Sequence, residues 1–166
     1  MFLASDLDAD WVNAASLWRL RNALALHGMR GLRPRLRLRA DPRRYRAHPG
    51  EISYLADDDA LVRSGISAAG AYGLDLVPGA EIDAYVAARD VKRVEQEHAL
   101  VPAERGEANA VVRVVRDSAW HLDQVGSVAP IAAVALDLAE DPDPRSARAG
   151  RDALRDLNRA VRRRLR

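Results

Sequence analysis

The sequence predicts an α+β fold: a small mixed or antiparallel sheet of three to four strands packed against helices, with a long amphipathic C-terminal helix. Three observations carry this. Residues 32–39 alternate between leucine and arginine, residues 110–116 form a valine-rich run, and residues 144–165 repeat at helical spacing. The chain has 166 residues, 48% hydrophobic and 30% charged, which suits one folded domain with an appendage rather than disorder.

The elements follow in order. Leu17, Leu20 and Leu24, beside Trp11 and Trp18, predict a helix over 10–27 that Gly28 stops. In 32–39, Leu32, Leu36 and Leu38 face one way and Arg33, Arg35, Arg37 and Arg39 the other, as in a half-buried strand. Asp41-Pro42 and His48-Pro49-Gly50 punctuate a basic loop. Residues 51–55 read as a short strand, and Asp57-Asp58-Asp59 as the cap of a helical turn through Arg63. A short helix over 67–72 stops at Gly73, and Pro78-Gly79 turns the chain into a strand over 81–87. A helix over 90–100 and a loop over 101–108 precede the valine-rich strand, which suits a buried position. An apolar helix follows over 130–139. Asp143 then serves as N-cap and Pro144 as first residue of the last helix, whose apolar stripe includes Leu154. Residues 1–31 form an N-terminal helical segment and 32–166 the α+β domain.

Composition narrows the function. There is no cysteine, so thiol nucleophiles, disulfides and Cys-based zinc sites are excluded, and a cytoplasmic location is expected. The start shows no basic leader, and the longest apolar run, 127–138, is too short to span a bilayer, so no membrane association is expected. Net charge is only +2 but unevenly placed. Residues 30–48 hold eight arginines and one acid, and 145–166 hold nine arginines and two acids. Between them, 75–107 hold eight acids and four bases. Arginine suits bidentate phosphate contact. Arg33, Arg35, Arg37, Arg39, Arg43, Arg44 and Arg46, with Arg148, Arg151, Arg155 and Arg159, are therefore the candidate nucleic-acid-binding residues.

One segment has an enzymatic alternative. Ser64-Gly65-Ile66-Ser67 followed by Glu81-Ile82-Asp83 resembles the hairpin of polymerase-beta-type nucleotidyltransferases. That resemblance implies Mg²⁺ with a nucleoside triphosphate, held by Glu81 and Asp83, with Asp117 as third carboxylate. Gly65 is not followed directly by a Ser, Glu stands where Asp is usual, and no Lys or His follows closely. The favoured reading is structural: small residues allowing tight packing, and two acids on the wet face of an edge strand, with no cofactor. The four histidines are scattered without metal-binding spacing.

The segments "VRSGISAAGAYGLDLVP", "EIDAYVA" and "VVRVVRDSAW", with the 128–154 run through "LDLAEDPDP", resemble the C-terminal domain of AbiEi-type antitoxins of type IV toxin–antitoxin systems, over roughly residues 50–157. Such antitoxins begin with a winged helix-turn-helix, whereas residues 1–31 supply one clear helix. The resemblance implies a non-catalytic regulator of transcription that binds nucleic acid, a cognate toxin protein, or both. The oligomeric state is left open.

Overall fold

The computed structural model describes residues 39–115 and 126–164, which fall in two compact units. The first, Arg39–Ala129, is built on a five-stranded mixed sheet. Its strands are β1 (Asp41–Arg46), β2 (Leu61–Arg63), β3 (Ile82–Ala87), β4 (Val101–Pro102) and β5 (Ala110–Val115), in the order β2-β3-β5-β1-β4. β3 and β5 pair in parallel; the other pairs are antiparallel. Helices α1 (Ile52–Asp57) and α2 (Val91–Glu97) belong to this unit, with 3-10 turns at Pro49–Glu51 and Gly65–Tyr72. The α+β fold class is therefore as expected, with one strand more than the upper count.

Strand alternation divides the sheet residues between two faces. One face carries Ile82, Ala84 and Val86 of β3, Ala110, Val112 and Val114 of β5, Tyr45 and Leu61. Leu55 of α1, Val91 and Val94 of α2 and Leu100 close over them as one buried cluster. The other face carries Asp83 and Tyr85 of β3 with Val111, Arg113 and Val115 of β5. β3 lies between β2 and β5, and all six of its residues are buried. The edge-strand placement of residues 81–87 is thereby corrected.

Four other local expectations are also corrected, the first being that the expected loop over 101–108 opens with the two-residue strand β4, paired to β1. Residues 41–46 are a strand, not a basic loop. Their polarity hides the pattern, but the valine-rich β5 supplies a partner over five residue pairs. Pro42 fits because of where its nitrogen points. The Tyr45 carbonyl accepts from Asn109 and the Arg44 carbonyl from Ala103 on the β4 side. Pro42, two residues before Arg44, therefore faces the β4 side, beyond the reach of that two-residue strand. Residues 52–57 are helical, not extended: Ile52, Leu55 and Ala56 at i, i+3 and i+4 turn one face to the core. Pro49 begins the preceding 3-10 turn, and His48 Nδ1 accepts from the Gly50 amide at 3.2 Å. Asp58 then ends α1 by accepting from the Ala60 amide at 2.8 Å, and the chain leaves as β2 rather than as a helical turn.

The second unit is described from Pro130 to Arg164. Its helices are α3 (Ile131–Ala139) and α4 (Pro144–Arg164). α3 is buried from Ala132 to Leu138, Asp137 included. Asp143 caps α4, accepting from the Ser146 amide at 2.7 Å, and Pro144 takes the first position. Gly150 lets the two helices touch: a Cβ there would lie 2.4 Å from the Ala139 nitrogen and 2.6 Å from the Ala135 oxygen. Burial fades beyond that contact. Ala147 and Gly150 are buried, but Leu154 and Leu157 are half-buried, so Leu154 is not the core residue its stripe suggests. Among the described residues no helix is long and apolar enough to cross a membrane.

Leu55 and Leu154 should therefore respond differently to truncation. Leu55→Ala is expected to cost about 2–5 kcal/mol in a denaturant melt. Leu154→Ala should cost about 1 kcal/mol.

Candidate functional site

Asp83 is held on every side. The Ser64 amide donates to its carbonyl at 2.8 Å, and its own amide donates to Ser67 Oγ at 2.9 Å. Its carboxylate takes Arg113 in a fork: Nε donates to Oδ1 and Nη2 to Oδ2, both at 2.7 Å. The parallel register makes this possible. Asp83 pairs with Val111, so Arg113 stands two residues along on the same face. The two side chains are 8% and 13% exposed. Gly65 closes the remaining side. Its φ is +47°, and a Cβ there would lie 2.4 Å from Asp83 Oδ2.

Both oxygens of Asp83 are thus engaged by a guanidinium, and the Gly65–Tyr72 turn presses against the carboxylate rather than leaving room beside it. Glu81 lies before β3 and is exposed. The structure does not bring Glu81 and Asp83 together as a two-carboxylate face. Asp117 lies outside the described residues. Among the described residues, no group of three or more His, Asp or Glu is placed to hold a metal ion. The sequence did carry a signal for the Arg113 partnership. A lone arginine inside the run Val111-Val112-Arg113-Val114-Val115 needs a buried acid, and Asp83 is the acid within β3.

The candidate arginines divide by environment. Arg33, Arg35 and Arg37 lie outside the described residues. Arg39 Nε donates to the hydroxyl oxygen of the fully buried Tyr85 at 2.9 Å. Arg43 is tethered beside Asp41 at 3.6 Å and Glu95 at 3.5 Å, and Glu95 also accepts from Tyr45. Arg44 is half-buried and Arg46 exposed, each without an ion-pair partner among the described residues.

On α4, Arg148, Arg151, Arg155 and Arg159 are all exposed, and steps of three, four and four residues put them on one face. Arg155 pairs with Asp152, and Arg159 with Asp156 at 3.6 Å. Arg148 and Arg151 have no ion-pair partner among the described residues. Such exposed intrahelical pairs stabilise by only about 0.3–0.5 kcal/mol. A phosphate can displace them, so α4 with eight arginines against two aspartates stays strongly cationic.

A third cluster had no signature in the sequence. His98 lies between two carboxylates, Nδ1 at 2.8 Å from Glu51 Oε1 and Nε2 at 3.0 Å from Asp58 Oδ2. Arg93 donates to Asp58 and pairs with Glu97. Burial alone would push the Asp58 carboxyl up, but hydrogen bonds from Arg93, the Ala60 amide and His98 outweigh it and hold the group at about 2. Separations of 47 and 40 residues put this contact beyond any spacing rule.

Gly65→Ala should destabilise the protein by about 1–3 kcal/mol, because alanine is strained at positive φ and its Cβ would strike Asp83. Thermal unfolding monitored by circular dichroism reads this directly. An unchanged melt would mean that the turn does not press on Asp83.

No family model, curated protein or solved structure matches this chain.

Proposed function

We propose that this chain is a non-catalytic, antitoxin-like regulatory module that binds nucleic acid through the exposed arginines of α4. The observation that carries the reading is the row Arg148, Arg151, Arg155 and Arg159. These residues span eleven positions, about 16 Å along the helix axis, and present forked donors matched to phosphate oxygens. The resemblance of residues 50–157 to antitoxin C-terminal domains points the same way. The exposed side chains of the row are arginines, and the one amide beside them, Asn158, is half-buried, which favours contact with the phosphate backbone over reading of base edges. The nucleotidyltransferase alternative loses its main support, since Asp83 is engaged by Arg113.

Fluorescence anisotropy with a labelled duplex between 50 and 200 mM salt tests the reading. Contact with four phosphates predicts a slope of log K against log salt of about −3.6. Arg148→Glu with Arg151→Glu should lower affinity at least tenfold and flatten the slope by about 2. Binding that ignores both salt and this substitution would refute it. Retention of an acidic toxin protein with no affinity for nucleic acid would also refute it, in favour of a protein partner.

A further inference from the structure

We infer that the α1–α2 layer carries a pH-operated latch: imidazolium His98 holds Glu51 and Asp58 together, and loss of its proton releases Glu51 and loosens the start of α1. The geometry requires two N–H donors. Both ring nitrogens lie within hydrogen-bonding distance of carboxylates, and carboxylates only accept. A neutral ring has one N–H, so it can serve one acid and must turn a lone pair toward the other.

The surroundings decide which acid is released. Asp58 is 7% exposed and is also held by Arg93 and the Ala60 amide. Glu51 is 32% exposed, and His98 is its ion-pair partner among the described residues. Glu51 can turn to water at small penalty, while Asp58 cannot leave. The proton therefore stays on Nε2, and the Nδ1 contact opens. Arg93 sits behind Asp58 and pairs onward with Glu97, whereas Glu95 on the same helix is turned to Arg43 and Tyr45. Glu51 and Asp58 are thus the charged groups facing the ring.

Position gives the latch its effect. His98 is the C-cap of α2, Glu51 the N-cap of α1, and Asp58 the C-cap of α1. One ring thereby ties both ends of a six-residue helix to its neighbour. A helix that short holds its form only through packing and end contacts. Its side chains Leu55, Ile52 and Ala56 cover the apolar face of the sheet.

The sign follows from the two shifts. Burial would draw the His98 ring down, but its bonds to Glu51 and Asp58 outweigh that and raise it. The latch is therefore fully closed below about 6.5, the ordinary histidine value, and opens as pH rises through the raised midpoint. Asp58, held at about 2, stays ionised throughout this range and contributes none of the response.

A nitrogen-detected NMR titration of His98, paired with amide exchange of residues 52–56, tests this on the full chain. The midpoint is expected above about 6.5, with Nδ1 losing its proton. Protection factors in 52–56 should then fall about tenfold for each unit of midpoint elevation, while those of β3 hold. Glu51→Gln, which keeps the side-chain size at a partly exposed position, should lower the midpoint and remove the fall. A midpoint at or below the ordinary value, protection in α1 that ignores pH, or an unchanged response in Glu51→Gln would each overturn the latch.

Discussion

The parallel pairing of β3 with β5 at the centre of the sheet, pinned by the buried Asp83–Arg113 fork, is the constraint on which the first unit rests. A parallel pair of nearly all-apolar strands has little in its own pattern to fix its register. A shift by two residues would leave Val, Ala and Ile on the same faces. The fork removes that freedom, because only one register sets a guanidinium diagonally beside the carboxylate. Burying two charges opposes folding by several kcal/mol for each ion and is offset only by good geometry. Two contacts of 2.7 Å supply that geometry. The Gly65–Tyr72 turn then shapes itself to the same residue, through Ser64, Gly65 and Ser67. What resembles a phosphate-gripping hairpin in the sequence is a clasp around an internal ion pair.

Arginine has more than one role in this chain, and solvent exposure separates them. Arg113 is mostly buried and forked onto Asp83, so its contribution is structural. Arg43 is tied to neighbouring acids on a half-exposed surface. Arg148, Arg151, Arg155 and Arg159 of α4 are exposed, and the aspartates beside Arg155 and Arg159 hold them only weakly, which leaves this row open to a ligand with a denser negative charge. An excess of arginine therefore does not by itself mark a binding surface. Only those arginines whose partners are absent or weak can recruit a polyanion.

The legible parts of the fold were those with strong apolar periodicity: β3, β5, α2, α3, and α4 with its Asp143 cap. β1 was not legible, because Asp-Pro-Arg-Arg-Tyr-Arg has no apolar alternation and becomes a strand through its neighbour β5. α1 was obscured by the Pro49-Gly50 turn before it, although Ile52, Leu55 and Ala56 already had helical spacing. At the site, the α4 row was visible from spacing alone. The lone arginine in the valine run hinted at a buried acid, but the forked pairing with Asp83 depends on the parallel register of two strands that the sequence locates without pairing. The His98 cluster joins residues 40 and more positions apart, and only the tertiary fold brings them together.

The most direct test of the central claim is a double-mutant cycle at Asp83 and Arg113, using Asp83→Asn and Arg113→Gln and read by chemical denaturation. Each single change should lower stability by about 3–5 kcal/mol, since each strands a buried partner. The double variant should lose far less than the sum, giving a coupling of at least about 2 kcal/mol. Additive losses with coupling below about 0.5 kcal/mol would show that the pair does not hold the sheet together.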